Sequence, residues 1–355
     1  MNGAQGPTKK TVFYFNFIAH QRFLDVIATR PDIELHKFHN DSPEEDVKKV
    51  MAVAHAYQID SARAGIPEKY YATQALLDQC PNLLIVSANG AGFDTVDVPA
   101  CTEAGVLVMN QTGGNREAVA EHALGMILAL SKRIAETDRA MRDGSIKERL
   151  HYMGDEVSGK TLGIIGIGNT GSTLSKKCAA ALDMRVLAYD PYVDADTMAR
   201  FSATKAELDE VLAQADYVSV HCPRTNETET MFDADAFARM KQGSYFITTA
   251  RGGIHDEAAL YDALKAGHLK GAGLDVWDPE PPAHDHPLLT LDNVIVSPHT
   301  AGSTFTAREN LGKWGAEQLT DALDGKRPPR LINPDAWPQF TDRYEEVLGT
   351  AAADA

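Results

Sequence analysis

The sequence predicts an α/β protein of two doubly wound parallel sheets. Three observations carry this expectation. Short β-rich runs alternate with helical patterns through most of the 355 residues, as in parallel strands covered by helices on both faces. The alternation falls into two series, separated by a long helical stretch at about 115–142. The second series holds six strand-like runs, enough for a complete doubly wound sheet.

In the first series, residues 11–15, 33–38, 50–54, 83–87 and 106–109 read as strands, and residues 21–29, 69–79 and 98–104 as the helices between them. Within the long stretch, Ala123-Leu-Gly-Met-Ile-Leu-Ala-Leu130 is apolar on every face, which predicts burial on all sides, inside one domain or across a subunit interface. The second series places strands at 161–166, 185–190, 216–220, 245–249, 271–276 and 294–297. Helices are expected between them at 170–182, 207–214 and 257–266, and a further one at 307–324. The ends, about 1–9 and 334–355, read as tails.

Bulk properties narrow the function. Hydrophobic residues make up 44% and charged residues 24%, which is ordinary globular composition. The longest good apolar run has eight residues, 123–130, far short of the ~20 a membrane helix needs. A net charge of −16 repels phosphate backbones and anionic lipid, so neither nucleic acid nor membrane is an expected partner. The N-terminal MNGAQGPTKK lacks the apolar core of a signal peptide. Cys80, Cys101, Cys178 and Cys222 form no C-x-x-C pair, so neither disulfides nor a zinc ribbon is predicted, and a cytoplasmic location is expected.

The strongest local motif is Gly166-Ile-Gly168-Asn169-Thr170-Gly171. An apolar strand runs into it and a helical stretch runs out, as in a Rossmann dinucleotide site. Gly166 permits the tight turn, Gly168 lets backbone approach a pyrophosphate, and Gly171 lets helix and strand pack closely. The helix N-terminus then offers unpaired N–H groups to phosphate. Asp190 ends the next strand, where a carboxylate accepts hydrogen bonds from a ribose 2′-hydroxyl and repels a 2′-phosphate. The expected cofactor is therefore NAD.

Three later loops follow strands and so open toward the same crevice. They supply Arg251, Glu280 and His299. A guanidinium can hold a carboxylate and polarise a carbonyl, an imidazole can exchange a proton with a hydroxyl, and a carboxylate can orient that imidazole. This set suits hydride chemistry at a 2-hydroxy or 2-oxo acid. Tyr57, just after a strand of the first series, is a candidate substrate contact, as are its neighbours Ala56 and Gln58.

From about residue 83 to 333 the sequence resembles the D-isomer-specific 2-hydroxyacid dehydrogenase family. The matching words are Gly90-Ala-Gly-Phe-Asp94, Gly113-Gly-Asn-Arg-Glu-Ala-Val-Ala-Glu-His122, Gly159-Lys-Thr-Leu-Gly-Ile-Ile-Gly166, His221-Cys-Pro223, Thr249-Ala-Arg-Gly252, Gly273-Leu-Asp-Val-Trp277 and Asn293-Val-Ile-Val-Ser-Pro-His299. The resemblance implies that Arg251, Glu280 and His299 are a catalytic trio. It implies a discontinuous, flavodoxin-like substrate domain, 1–109 plus 300–355, with a Rossmann NAD domain, 110–299, inserted in it. It further implies that amides at Asn89 and Gly90 hold the substrate carboxylate. Asp275 would meet the nicotinamide carboxamide, and Cys222, Pro223, Thr249, Ala250 and Gly302 would line the cofactor pocket. Together with the apolar 123–130 segment it implies a homodimer joined through the NAD domain. Two residues depart from the family pattern: Thr248, where Asn or Asp is frequent, and Arg224, where an apolar residue is common.

Other histidines have blander roles. His221 is expected to make a structural hydrogen bond, and His122 to be packed or at an interface. His284-Asp-His286 could chelate, but no third ligand has a characteristic position, so no metal is expected. The expected activity is NAD-dependent interconversion of a D-2-hydroxy acid and its 2-oxo acid. Two narrower readings stay open: a short-form 3-phosphoglycerate dehydrogenase, and a non-enzymatic NAD-sensing protein like the corepressors of this fold.

Overall fold

A computed structural model describes residues 9–354. The chain divides into two compact units, Met1–Asn115 with Thr304–Ala355, and Arg116–Ser303. The crossings fall a few residues after 109/110 and 299/300.

The first unit runs β1 (Lys10–Phe15), α1 (Gln21–Ala28), β2 (Ile33–Phe38), α2 (Glu44–Met51), β3 (Ala56–Asp60), α3 (Gln74–Leu77), β4 (Ile85–Asn89), α4 (Val98–Glu103) and β5 (Leu107–Met109). Its sheet has the order β2-β1-β3-β4-β5 with every pair parallel. That is the flavodoxin-like order, reversing direction between β1 and β3. β1 and β3 are almost wholly buried, as central parallel strands covered on both faces must be. Phe13, Phe15, Tyr57, Ile59 and Val86 pack one face with Met51, Leu76 and Cys101. Val12, Ala56, Ile85 and Leu107 pack the other with Phe23, Ile27, Ala316 and Leu319.

The second unit runs α5 (Arg116–Ser131), α6 (Ile134–Asp143), β6 (Thr161–Ile165), α7 (Asn169–Leu182), β7 (Arg185–Tyr189), α8 (Ala195–Ala199), β8 (Thr204–Lys205) and α9 (Leu208–Gln214). It continues with β9 (Tyr217–Val220), α10 (Ala234–Arg239), β10 (Tyr245–Thr248), α11 (Glu257–Lys265), β11 (Gly271–Leu274) and β12 (Val294–Val296). The order is β12-β11-β10-β9-β6-β7-β8, all parallel, with its reversal between β6 and β9. Two doubly wound parallel sheets are thus present as expected, the second with an extra short edge strand, β8. The last helices, α12 (Phe305–Leu323) and α13 (Trp337–Leu348), return to the first unit.

Four local expectations are corrected. Residues 50–54 are not a strand: Val47 and Met51 form the buried face of α2, and the strand is β3. A short apolar run does not separate helix from strand by periodicity. The 69–79 helix is only a 3₁₀ turn, Glu68–Tyr70, and the one-turn α3. The 115–142 stretch breaks at Arg133, whose φ of 54° ends one helix and starts the next. Within the single chain its apolar segment is buried on one side, which leaves the other side to the expected interface: Ala123, Met126, Ile127 and Leu130 are in the core, Leu124 and Leu128 are half-buried, and Gly125 is exposed. Residues 334–354 are no tail. Phe340, Tyr344 and Leu348 recur every four residues and bury one face of α13, and Arg343 donates to the Leu83 and Pro81 carbonyls at 2.9 and 2.7 Å. Of the other expected tail, residues 1–8 lie outside the described residues.

Candidate active site

β6 is a buried apolar strand that ends in the glycine motif. Gly166 has φ +87°, and a Cβ there would lie 2.6 Å from the Cys222 amide nitrogen after β9. The turn therefore needs glycine both for its backbone and for the approach of the neighbouring strand. A Cβ on Gly171 would collide with the Gly166 carbonyl, whereas one on Gly168 would meet nothing within 4 Å. The space beside Gly168 is open, and α7 has no side-chain cap at its N-terminus. The amides of Asn169, Thr170 and Gly171 thus face an open cradle with the positive end of a 14-residue helix behind them. Asp190 closes the loop from β7: its carboxylate accepts from Ile167 N–H at 3.1 Å and from Tyr192 N–H at 3.0 Å. This donor set fits a pyrophosphate and a ribose.

The far wall follows β9 and β10. His221 is half-buried, its Nε2 2.9 Å from Ser219 Oγ and its Nδ1 3.5 Å from Thr249 Oγ1. Burial pushes its imidazole down to about 4, so it stays neutral near pH 7. Burial likewise pushes the Cys222 thiol up to about 11, which removes it as a nucleophile. Ala250 is buried, and Pro223 caps a turn by accepting from Thr228 Oγ1.

Arg251, Glu280 and His299 leave the C-terminal ends of three adjacent strands, β10, β11 and β12. Gly252 lets the first two loops touch, since a Cβ there would collide with the Trp277 carbonyl. His299 Nδ1 lies 2.8 Å from Glu280 Oε2. Both side chains are about a third exposed, 37% and 34%, so the pair is formed and still open to a small molecule. Arg251 donates to the carbonyl of Ala250 at 2.7 Å.

His299 adopts φ 55°, a left-handed conformation uncommon for a side chain of its size. Asp275 holds it there. The Asp275 carbonyl accepts His299 N–H at 2.8 Å. Its carboxylate, fully buried, accepts from Ser297 Oγ, Thr300 N–H and Ala301 N–H at 2.6, 2.8 and 2.9 Å. His122 on α5 reaches Ser297 Oγ at 3.0 Å. Asp275 is thus a clamp on the histidine loop, with three of its carboxylate lone pairs in use. Sequence reasoning missed this clamp and the part of His122 in it; the word Ser297-Pro-His299 signals the loop, but nothing local signals what holds it.

In the first unit, taken by itself, the loop after β4 carries other expected site residues. Gly90 N–H is already bonded to Gln111 Oε1 at 2.7 Å, and the Asn89 side chain ties down the loop after β1 by accepting Ala19 N–H at 3.1 Å. The next two amides, Ala91 and Gly92, have no acceptor among the described residues. The Gly90 amide, expected to hold a substrate carboxylate, is therefore already taken within its own unit. Tyr57 is withdrawn as a substrate contact: it is fully buried, stacked on Phe13 at 4.2 Å, with its hydroxyl donating to Tyr70 O. Gln58 is equally buried.

Residues 124–301 match the family model of the D-isomer specific 2-hydroxyacid dehydrogenase NAD binding domain. The chain is 42% identical to D-3-phosphoglycerate dehydrogenase of Archaeoglobus fulgidus over 258 residues, covering 73% of this chain and 49% of that protein. It is 37% identical to glyoxylate reductase of Thermofilum pendens over 265 residues, covering 73% and 78%. The chain spans about half the length of the phosphoglycerate dehydrogenases it matches. Among solved structures, D-lactate dehydrogenase from Aquifex aeolicus, complexed with NAD and lactic acid, superimposes with a TM-score of 0.77 at 27% identity, over 90% of this chain and 98% of that one.

Proposed function

The chain belongs to the D-isomer specific 2-hydroxyacid dehydrogenase family, and on that premise we propose that it is an NAD-dependent enzyme interconverting a D-2-hydroxy acid and its 2-oxo acid. The observation that carries this is the Glu280–His299 pair, 2.8 Å apart on adjacent loops and open to solvent.

The glycine loop, the amides of Asn169, Thr170 and Gly171, and Asp190 would hold NAD, with Thr249, Ala250, Cys222, Pro223 and Gly302 along the pocket; Asp275, fully buried with its carboxylate engaged, offers the nicotinamide carboxamide no surface. When bound, the nicotinamide supplies or takes up a hydride. The chain's own residues handle the carboxylate and the proton. Arg251 presents a planar fork that binds the substrate carboxylate and polarises the carbonyl. His299 Nε2, which has no partner among the described residues, gives a proton to the carbonyl oxygen in reduction and removes it from the hydroxyl in oxidation. Glu280 accepts from Nδ1–H, which fixes the tautomer that leaves Nε2 toward the substrate and stabilises the imidazolium when it forms.

Two features extend the reading. Ile134, Met141, Leu150 and Met153 are exposed, and Leu124 and Leu128 on α5 are half-buried. A second copy of the chain that covered these apolar side chains would give a homodimer; a concentration-independent monomer mass in sedimentation would rule it out. All four cysteines are free, which fits a reducing, cytoplasmic setting. Among the described residues no helix is long and apolar enough to cross a membrane. The identity to phosphoglycerate dehydrogenases favours 3-phosphoglycerate as a second, narrower substrate reading.

The test is turnover. Purified protein with NADH and a panel of glyoxylate, hydroxypyruvate, pyruvate, phenylpyruvate and phosphohydroxypyruvate should oxidise NADH with at least one acid. No turnover with any acid, while NADH binds, would favour an NAD-sensing protein instead.

A further inference from the structure

We propose that Glu257 is a positioning residue for the proton-transferring pair, setting Glu280 against His299 by clipping together the two ends of the loop that carries Glu280. The proposal rests on the functional reading above and names a residue outside it.

Glu257 opens α11, but the capping there is done by Asp256, whose side chain accepts from Ala258 and Ala259 N–H. The Glu257 carboxylate is left for another task. Its Oε1 accepts Asp278 N–H at 3.0 Å, and its Oε2 meets His286 Nε2 at 2.9 Å. Asp278 and His286 are the two ends of the loop 278–286. Between them the chain is mostly exposed, so it buries too little to hold its own shape. The pair of Glu257 and His286 is only 14% and 20% exposed, which shields it from the screening that makes surface pairs weak.

The clip is joined to the histidine loop. The His286 ring meets Trp277 edge to face at 5.6 Å, and Trp277 Nε1–H donates to the Ser297 carbonyl at 3.1 Å, two residues before His299. One carboxylate therefore refers Glu280 and His299 to the same fixed point, the start of α11. Arg224 adds a second brace. Its guanidinium donates to Asp278 Oδ2 at 3.0 Å and to the Gly252 carbonyl, next to Arg251, at 3.3 Å, while Glu229 accepts its other end at 2.7 Å. The departure from the family's apolar residue at this position thus ties the arginine loop to the glutamate loop.

The experiment compares Glu257→Ala, Glu280→Gln and the double variant in the full chain. Glu257→Ala should lower kcat by about tenfold to a hundredfold, the equivalent of one lost bond to a charged group, with KM for NADH and for the 2-oxo acid nearly unchanged. Because both residues act through His299, the double variant should lose much less than the product of the two single losses. Hydrogen exchange in the cofactor-free protein should rise within 278–286 and stay unchanged at β10 and β11. Glu257→Gln, whose amide oxygen can still accept Asp278 N–H, should recover part of kcat, and with His286→Asn it carries the test if the alanine variant does not fold. An unchanged kcat, losses that multiply, or an exchange increase spread across the whole unit would each overturn the proposal. If Glu280→Gln alone leaves kcat intact, the functional reading fails, and it fails separately from this one.

Discussion

Replacing Asp275 by asparagine should release the loop that presents His299 while leaving the sheet intact. The buried carboxylate accepts three hydrogen bonds: from Ser297 Oγ and Thr300 N–H on one oxygen, and from Ala301 N–H on the other. An amide keeps one oxygen, so its NH₂ group must face at least one of these donors. One bond to a charged group is lost, about 1.5–3 kcal/mol, and a buried donor is left unpaired, about 1–3 kcal/mol. Against this stands the left-handed backbone of His299 at φ 55°, which costs about 1–2 kcal/mol for a residue with a side chain. The weakening exceeds what the strained turn can tolerate, so the loop should leave its present conformation. A loss of about 2–4 kcal/mol in the reactive arrangement corresponds to a fall in kcat of roughly 30-fold to 1,000-fold. The assay pairs kcat with amide exchange: Thr300 and Ala301 should lose protection, while amides of the glycine loop should not. A kcat within about threefold of the unmodified protein, with both amides still protected, would refute the reasoning.

Three further outcomes are expected. Gly168→Ala should fold with an unchanged Tm, because its Cβ would meet nothing, yet bind NADH at least about tenfold more weakly; Gly171→Ala should lose both stability and binding, because its Cβ would collide with the Gly166 carbonyl. Equal NADH affinity in Gly168→Ala, by calorimetry, would remove the glycine loop from the cofactor site. Asp190→Ala should narrow the preference for NAD over NADP, measured as the ratio of kcat/KM values, and also destabilise the loop whose Ile167 and Tyr192 amides it accepts; an unmodified protein that uses both cofactors equally would contradict the assignment. The half-buried His221 and the buried His255 are both pushed down to about 4 by desolvation, so the native state holds them neutral while the unfolded chain takes up protons from about pH 6.5 downward. Stability should therefore fall as pH drops from about 6.5 to about 4, and level off below. Neither ring nitrogen of His255 has a partner among the described residues, so His255→Leu should lessen the loss between pH 7 and pH 5 by up to about 2 kcal/mol in urea unfolding. Equal losses in the two proteins would contradict this.

Two series of parallel strands and the glycine turn after β6 are legible in the sequence, which also singles out Asp190, Arg251, Glu280 and His299 as candidates. These are legible because their causes are local. A covered parallel strand needs an unbroken apolar run, a pyrophosphate turn needs glycine at fixed spacing, and a proton-transferring side chain must be one of a few types at the end of a strand. Where a local signal has two physical causes, it misleads. The apolar run at 50–54 belongs to the end of α2 and the turn after it, and the small-residue C-terminus masks a helix whose anchors, Phe340, Tyr344 and Leu348, find their partners across the unit.

What holds the site together depends on contacts between distant segments. Asp275 and the loop of His299 are 24 residues apart, as 299 − 275, and Glu257 and His286 are 29 apart, as 286 − 257. Their pairing depends on which strand ends lie side by side, and strand order is a long-range property that no short window of sequence contains. The same holds for Gly90, whose amide is taken by Gln111, and for Tyr57, whose ring is taken by Phe13. A residue type announces what chemistry it can do; burial and partners, set by the packing of distant segments, decide whether that chemistry is available.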